Sequence, residues 1–405
     1  MTHPEKKIAK RIDTPNRCSA FTDIVYSGDT TGLPTRELAR QMHAAEHAFE
    51  PQPPTLHPFV GEMHGHTNLS DGGVDIDTYF TNLRDVAKLD FAAVSDHDHG
   101  GVGRPELWVG NPSKWDIIRE KVQAYRVEGE FTTILAYEKD AYPYFNNMVI
   151  YFEDENAEML RGVRDGEMTE EELMTLLSRK DCFFAPHDTF TLESYADFSG
   201  LPLHLMPPYL EIISRGDATE YMGNPCGRAY AVEGGYFQDA LRRGVHMCVI
   251  GGSDDHYGLN GQVADRYPNF EKYPGVTGVW ARENTHAALF EAFKAGRTYA
   301  FMRGSLDGDM NGRMEIDFRV NNHWMGERIT LSPDEDVSVY WSIKTDVPLR
   351  QVTVVKNCRN YVIMPQNTGF FFDYKQEEET DIYYLRVELT DGRFGWTSPV
   401  SVRRQ

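Results

Sequence analysis

Between residues 59 and 281, short apolar runs alternate with amphipathic stretches. The apolar runs predict eight β-strands, over 59–66, 91–96, 131–138, 147–152, 182–187, 209–214, 247–254 and 275–281. Four amphipathic stretches predict helices over 78–89, 169–179, 236–244 and 284–297, and Thr169 and Glu172 stand at the spacing of a capping box. This alternation of strands and helices favours an α/β barrel or a parallel sheet.

The two ends of the chain follow other patterns. Residues 1–57 are polar and form a predicted N-terminal arm, with one helix at 35–49 and a Pro-rich linker from 51. After about residue 307, alternating apolar and polar positions over 314–320, 336–344, 349–357, 370–374 and 380–389 predict strands only. We therefore predict three parts: the arm at 1–57, an α/β domain at 58–306 and an all-β, sandwich-like module at 307–405.

Composition narrows the classes of partner. The 405 residues include 41 Lys and Arg against 62 Asp and Glu, a formal net charge of −21, which disfavours binding to long nucleic acids. No stretch approaches the roughly 20 apolar residues that cross a bilayer, and no apolar segment follows the basic N-terminus, so we expect no membrane partner. The five scattered cysteines argue against a disulfide framework, and we expect a cytoplasmic protein. The residues predict no particular oligomeric state.

The strongest chemical signal lies at the ends of the predicted strands. His64 and His66 lie two residues apart at the end of the first strand, where an extended chain points both imidazoles to one side. Asp71 follows in a turn that can fold its carboxylate over the same opening. Four later strands also end in potential ligands: His97, Glu138, His187, and Asp254 with His256.

In a barrel the carboxyl ends of the strands converge on one mouth, so these side chains are expected to meet there. Ligands drawn from His, Asp and Glu without cysteine favour Zn, Mn or Fe. A set of this size favours more than one ion.

The ordered motifs HGHTNLSDG, SDH, a strand-end glutamate, PHD and GGSDDH resemble those of the polymerase-and-histidinol-phosphatase (PHP) superfamily of metal-dependent phosphoesterases. GGSDDHYG, GVTGVW and NTHAALFEAFKAGRTYA are similar to a poorly characterised bacterial branch of it. The likeness covers roughly 59–330. It implies a distorted (β/α)7 barrel that holds two or three divalent ions.

The resemblance also implies a ligand set. The first ion would be bound by His64, His66 and Asp254, the second by His187 and a bridging Glu138, and the third by Asp71, His97 and His256. Several relatives have histidine at the position of Asp71, and a carboxylate there favours Mn or Fe.

The chain departs from the PHP pattern after the strand at 209–214. Some relatives place a histidine ligand of the second ion there, whereas this chain has Arg215-Gly216-Asp217, with Glu211 and Glu220 as the nearest acids. We interpret Glu211 as either a ligand of the second ion or a partner that orients a ligand.

Other residues are candidates for catalysis and substrate binding. Asp254, His256 and His99 are candidate catalytic residues that could relay protons. Arg215, Arg228, Lys139 and Tyr257 are candidate substrate-binding residues, because they lie in or next to loops that follow ligand-bearing strands. For each cation, an ordinary surface position is the commoner interpretation.

These observations predict a hydrolase that cleaves a phosphate monoester or diester of a small organic molecule by a metal-activated hydroxide. Two alternatives stay open. The same chemistry serves hydrolysis of amides, lactones and other C–N or C–O bonds, and a PHP-type domain can also be a non-catalytic interaction module.

Overall fold

The computed structural model describes residues 10–11, 55–100, 104–140, 147–161, 169–178, 182–191, 195–227, 230–258, 273–333 and 335–405. Over these residues the protein is mixed α/β, with much sheet and few, short helices. The helix predicted at 35–49 lies outside the described residues. None of the described helices is long and apolar enough to cross a bilayer.

The described residues of the first part of the chain, up to Met302, contain twelve strands and five α-helices. In chain order they are β1 Lys10–Arg11, β2 His57–Glu62, α1 Ile76–Thr81, β3 Phe91–Val94, α2 Lys114–Tyr125, β4 Thr132–Asp140, β5 Asn147–Phe152, α3 Glu170–Leu177, β6 Cys182–Pro186, β7 Tyr209–Ser214, β8 Asp217–Ala218, β9 Tyr230–Ala231, α4 Phe237–Leu241, β10 Cys248–Gly251, β11 Gly275–Ala281, α5 His286–Lys294 and β12 Thr298–Met302. A π-helical turn at Asn82–Val86 continues α1, and a 3-10 turn lies at Leu203–Leu205.

The described residues after β12 form strands alone. They are β13 Met314–Val320, β14 His323–Trp324, β15 Arg328–Leu331, β16 Val337–Thr345, β17 Leu349–Lys356, β18 Arg359–Met364, β19 Thr368–Asp373, β20 Thr380–Leu389, β21 Phe394–Thr397 and β22 Val400–Arg404. All five strands predicted in this region are present, together with short ones that the alternation did not reveal.

The eight strands predicted between 59 and 281 are all present, and β5, β7 and β11 have the predicted bounds. Several others end earlier than predicted, because their polar last residues turn into the candidate site. The capping box of α3 is confirmed: the Thr169 amide donates to Glu172 Oε2 at 2.8 Å, and the Glu172 amide donates to Thr169 Oγ1 at 3.2 Å.

One helix was missed. α2 has few apolar residues, of which Trp115, Ile118 and Val122 are buried. The signal was in its cap, where Ser113 Oγ accepts from the Asp116 amide at 3.1 Å and Asp116 Oδ2 accepts from the Ser113 amide at 2.9 Å. Reading Ser-x-x-Asp as a helix start would have found it.

The sheet topology is more mixed than strand–helix alternation suggests. β2, β3 and β4 are parallel neighbours, and β7 is parallel to β10 in a separate three-stranded sheet. However, β4, β5 and β6 pair antiparallel, and β11 is antiparallel to both β2 and β12. The chain leaves the sheet after β11, forms α5 and re-enters the sheet at the same end, since Val279 of β11 pairs with Thr298 of β12. The observed class is therefore mixed α/β rather than regular parallel alternation.

Hydrogen bonds near the strand ends bring together the segments at β2, β10, β3 and β4. The His66 amide donates to the Asp255 carbonyl at 2.9 Å, and the Asp254 amide donates to the His64 carbonyl at 2.9 Å, so the segments after β2 and β10 lie side by side. The segment after β3 is joined to β4 itself, through a bridge between His97 and Glu138, which lies two residues before the end of β4. This shared edge positions the candidate site.

The C-terminal strands share a sheet with the first part of the chain. β12 pairs with β21, and through it the sheet continues into β20, β22 and β15. Buried side chains from Leu56 to Val402 form one connected core. The Trp280 indole of β11 also donates to the Ile316 carbonyl of β13 at 2.8 Å. Sheet and core are thus continuous across residue 307.

His246 lies between these two parts of the chain. Its Nε2 donates to the Gly326 carbonyl at 2.8 Å, and its Nδ1 lies 2.6 Å from Ser401 Oγ. Burial lowers its pKa from 6.5 to about 4. The folded state therefore favours the neutral ring, and protonation of the unfolded chain favours unfolding as the pH falls from 6.5 towards 4.

We predict that His246→Gln flattens the dependence of stability on pH. Between pH 7.5 and pH 5, the wild-type protein should lose about 1–2 kcal/mol of unfolding free energy through this residue. The variant should not show this loss. Urea unfolding at both pH values measures the difference, with the exposed His57→Gln as control. An equal loss in the variant and the wild type would contradict this role.

Candidate metal centre

Four ligand atoms come together at the meeting point of the strand ends. They are His64 Nε2, His66 Nε2, Glu138 Oε2 and Asp254 Oδ1, and all four side chains are buried. His64 Nε2 lies 3.3 Å from both His66 Nε2 and Glu138 Oε2, and 3.6 Å from Asp254 Oδ1. His66 Nε2 lies 3.2 Å from Glu138 Oε2 and 3.1 Å from Asp254 Oδ1.

These five separations, from 3.1 to 3.6 Å, are close to the ligand–ligand distances around a bound metal ion. A zinc ion with ligands at about 2.0–2.1 Å has ligand–ligand edges of about 3.3–3.4 Å. The two imidazole nitrogens lie 3.3 Å apart, with two carboxylate oxygens beside them. Such a group is unusual in the interior of a protein but common around a bound metal ion. The donor set therefore fits a divalent ion. We call these four residues the cage.

Glu138 connects the cage to two further imidazoles. Its Oε2, which faces the cage, also lies 3.2 Å from His97 Nδ1, and its Oε1 lies 3.2 Å from His187 Nε2. The two oxygens thus face different histidines. This is the position of a carboxylate that bridges two neighbouring ions.

A second group of ligand atoms lies nearer the solvent. Asp71, with a side chain 39% exposed, has one carboxylate oxygen 3.4 Å from His256 Nε2 and 3.8 Å from His66 Nδ1, and its other oxygen 3.7 Å from His97 Nε2. These four residues, Asp71, His256, His66 and His97, form a candidate ion site on the solvent side of the cage, which we call the mouth. The structure therefore brings together the three residues predicted for a third ion and adds His66.

Glu211 lies behind the cage. Its Oε2 accepts a hydrogen bond from His64 Nδ1 at 2.9 Å, which leaves the Nε2 lone pair of His64 directed into the cage. Glu211 Oε1 and His187 Nδ1 are buried without a hydrogen-bond partner among the described residues. A group of ligand atoms from His64, His187 and Glu211 is also close enough to hold an ion. The contact with His64 favours the second of our two interpretations, a partner that orients a ligand.

Gly252 makes the close packing behind the cage possible. A Cβ atom at this position would lie 2.5 Å from the Cβ of His64 and 2.8 Å from Glu211 Oε1. Either approach is shorter than van der Waals contact allows. Only glycine fits here without displacing a ligand or its partner.

Glu62 is a site residue that the sequence analysis missed. Its Oε1 accepts from the amides of His64 and Ser253, both at 2.9 Å, and so joins the two ligand-bearing segments. Burial raises the pKa of this carboxyl to about 8, against smaller opposing effects of these hydrogen bonds. An acid within the apolar strand two residues before the first histidine was the available signal.

Asp96 braces the loop after β2. Its Oδ1 accepts from the Thr67 and Ser70 amides at 2.8 and 3.0 Å, and its Oδ2 accepts from Thr67 Oγ1 at 2.7 Å. Its position next to His97 in the chain predicts a residue that orients that ring. Its contacts instead hold the segment between His66 and Asp71.

The buried carboxylates of the cage require positive charge close to them. Burial alone would raise the pKa of Glu138, but His97, His187 and His64 hold that pKa well below its usual range. Asp254 is likewise held low, by His64, Arg215 and His66 against the effect of burial. Burial alone would lower the pKa of His66, but hydrogen bonds with Asp254 and Glu138 raise it to about 9. Protons on the histidines thus balance carboxylates that divalent ions would otherwise balance.

The predicted catalytic and substrate-binding residues lie in different environments. Arg215 Nε donates to Asp254 Oδ2, and 39% of its side chain is exposed at the mouth. His99 stacks on His97 with ring centroids 4.9 Å apart, and Tyr257, next to His256, is 53% exposed. Arg228 lies outside the described residues.

Lys139 does not reach the mouth as a free cation. Its ammonium is buried and lies 3.1 Å from Asp98 Oδ2. Successive side chains of a strand point to opposite faces, so the Lys139 side chain lies on the face of β4 opposite to that of Glu138. The position does not support the predicted contact with substrate.

Comparisons with known proteins give distant similarities. No family model matches the chain. An uncharacterized protein of Chlamydia pneumoniae is 20% identical over 407 residues, covering 93% of this chain, and the chain spans 62% of the length of that relative.

Among solved structures, a two-domain protein from Bacteroides vulgatus that contains a predicted PHP-like metal-dependent phosphoesterase matches with a TM-score of 0.41 and 15% identity, over 84% of this chain and 94% of that chain. A fibronectin(III)-like module structure of Clostridium thermocellum CbhA matches with a TM-score of 0.18 and 16% identity, over 21% of this chain and 94% of that chain. Fold and site therefore define a mixed α/β protein with a buried His and carboxylate cluster able to hold metal ions.

We predict that metal binding releases protons. Because the pKa of His66 is raised to about 9, its ring is protonated at pH 7.5 and must lose that proton to bind an ion. Affinity should fall as the pH decreases below 9, by about tenfold per pH unit for each proton displaced.

Calorimetric titration with Zn or Mn in buffers of different ionisation enthalpy counts the protons released. The count should fall in His66→Gln and stay unchanged in the exposed-site control His323→Gln. A binding enthalpy that is independent of the buffer would contradict the prediction.

We also predict that Glu211→Gln weakens metal binding by about 10–100-fold, because the neutral amide holds the His64 ring less firmly in the ligating tautomer. Competition with a chromogenic chelator measures the affinity. Glu315→Gln, which removes a surface partner of Lys344, is the matched control. Equal affinities in the two variants would argue against this role of Glu211.

Proposed function

We propose that the protein is a metal-dependent hydrolase that cleaves a phosphate ester of a small organic molecule at the cage. The observation that carries the proposal is the convergence of three neighbouring groups of potential ligand atoms, which share His64 and His66 and are joined through Glu138 to His97 and His187. Two or three divalent ions, Zn, Mn or Fe, would be held by the cage, by His187 with Glu138, and by the group around Asp71. The proposal includes the PHP-type barrel, with its (β/α)7 arrangement, that the sequence motifs imply.

The order of the motifs along the chain supports phosphate as the target. The segments that meet at the cage, HGHTNLSDG, SDH, Tyr137-Glu138, PHD and GGSDDH, are those that resemble the phosphoesterase superfamily. When bound, the ions would supply a water of lowered pKa and neutralise charge on the oxygens of the reacting group.

Arg215 is the residue that we assign to substrate recognition. Its Nε is committed to Asp254, but 39% of the side chain is exposed. A guanidinium offers several donors, so its remaining N–H groups can bind an oxygen of a phosphoryl group next to the cage. Tyr257, half exposed and next to His256 in the chain, would pack against the organic part of the substrate.

His256 and His99 are the candidates for handling protons. Nδ1 of His256 donates to the Asp254 carbonyl at 3.0 Å, so its Nε2 is the nitrogen presented towards Asp71 and the mouth. His99 is partly exposed and stacks on His97. From this position it can hold a proton close to a leaving group without occupying a ligand position.

We predict that the protein loaded with Mn, Zn or Fe hydrolyses p-nitrophenyl phosphate or bis-p-nitrophenyl phosphate. His64→Ala removes one cage atom and Asp254→Asn removes the negative charge of another, and each should lower kcat/KM by at least about 100-fold. His323→Ala, whose ring lies against Glu327 in the C-terminal strands, should match the wild type.

The same assay separates the alternatives. An ester, lactone and amide panel is run in parallel, and elemental analysis gives the metal content. Clear amide or lactone hydrolysis with no phosphoester turnover would overturn the phosphate assignment. Absence of bound metal and of all turnover would favour a non-catalytic interaction module.

A further inference from the structure

Arg215 lies at the tip of a tight hairpin. β7 and β8 pair antiparallel, with Ile213 opposite Ala218 and Ser214 opposite Asp217, so Arg215 and Gly216 are the two residues of the turn. Both have positive φ angles, 47° and 73°, as in the turns that suit two-residue hairpins. Arginine rarely adopts this conformation, so the surrounding structure must impose it.

The tip of the hairpin touches the cage through one carboxylate. Arg215 Nε donates to Oδ2 of Asp254, while Oδ1 of the same group lies 3.1 Å from His66 Nε2. The guanidinium therefore sets the rotation of the Asp254 carboxylate. A shift of the hairpin would move both the exposed guanidinium and a cage atom.

The far side of the hairpin is anchored beyond β8. The Thr219 amide donates to the Ile212 carbonyl at 2.8 Å, which continues the pairing with β7. The next residue, Glu220, is 1% exposed, and its backbone carbonyl accepts from the Gln238 amide at the start of α4, at 3.0 Å. Five positions along the chain separate this anchor from Arg215.

Glu220 is held by side chains of the C-terminal strands. Its Oε1 accepts from Tyr384 Oη at 2.6 Å and from Arg386 Nη1 at 2.9 Å, both on β20. Its Oε2 accepts from Trp396 Nε1 of β21 at 2.9 Å. A buried carboxylate with three such donors, one of them charged, is strongly fixed in place.

We propose that the C-terminal strands position Arg215 at the catalytic mouth through Glu220. The C-terminal module is then a working part of the site, and Tyr384, Arg386 and Trp396 are positioning residues that never touch the substrate. The inference rests on the proposed function only where it concerns turnover, because the hairpin geometry can be tested without a substrate.

The sequence of β20 offers a matched pair of variants for the test. Tyr384 and Tyr383 are adjacent and face opposite sides of the strand. Each hydroxyl donates to a buried carboxylate, Tyr384 to Glu220 at 2.6 Å and Tyr383 to Asp373 at 2.7 Å. Asp373 belongs to a cluster within the C-terminal strands, where it also pairs with Lys356. Tyr384→Phe and Tyr383→Phe therefore remove the same group in the same module, but only the first loosens the hairpin anchor.

The first measurement follows the Arg215 Nε–H group by NMR in protein labelled with 15N-arginine, with Arg215→Lys used for assignment. Tyr384→Phe should shift or broaden this signal, and Tyr383→Phe should leave it unchanged. An unchanged signal in Tyr384→Phe, or equal changes in the two variants, overturns the proposal. Trp396→Phe, which removes the donor to Glu220 Oε2, repeats the test if Tyr384→Phe does not fold, with Trp341→Phe as its control.

The second measurement is a double-mutant cycle on whichever phosphoester of the panel is turned over. Tyr384→Phe should lower kcat/KM by about fivefold in the wild-type background and have no further effect in the Arg215→Gln background. An equal loss in both backgrounds overturns the proposal. If no ester of the panel is hydrolysed, the proposed function fails while the NMR result still decides the role of Glu220.

Discussion

The structure of the candidate site depends on one buried carboxylate surrounded by imidazoles. Glu138 lies within 3.3 Å of nitrogen atoms from four histidines, each supplied by a segment that follows a strand. A carboxylate removed from water in this way is stable only if positive charge is brought to it. Protons on the histidines can supply that charge, and so can metal ions. The convergence of strand ends, the low pKa of Glu138 and the raised pKa of His66 all follow from this requirement.

Sequence patterns located the side chains that cluster at the candidate site, because most of them mark an abrupt change from apolar to ionisable residues at or near the end of a strand. His64, His97 and Asp254 lie just beyond strand ends, Glu138 lies two residues before the end of β4, and side-chain alternation in extended chain accounts for the pairing of His64 with His66. What the sequence could not supply was the set of supporting contacts. The brace by Asp96 and the link by Glu62 depend on how loops cross, and that is decided by packing between segments far apart in the chain.

The fold was predicted less completely than the site. Strand positions were recovered, but the direction of pairing was not, since amphipathic helices do not guarantee parallel neighbours. The helix α5 illustrates this, because it returns the chain to the end of the sheet that it left. Lys139 is a different case, because the signal that excludes it from the cage was present in the sequence. It follows Glu138 in the chain, and alternation alone places the two side chains on opposite faces, one in the cage and the other in an ion pair with Asp98.

Gly252 has a consequence for how such sites are recognised. Every residue able to bind metal could be retained in a related chain, and the motif would read as intact, yet any side chain at this position would press on His64 and Glu211. An inventory of ligands is therefore an incomplete criterion for telling a competent centre from one that has decayed. The space behind the ligands, which a glycine keeps open here, carries as much information about activity as the ligands do.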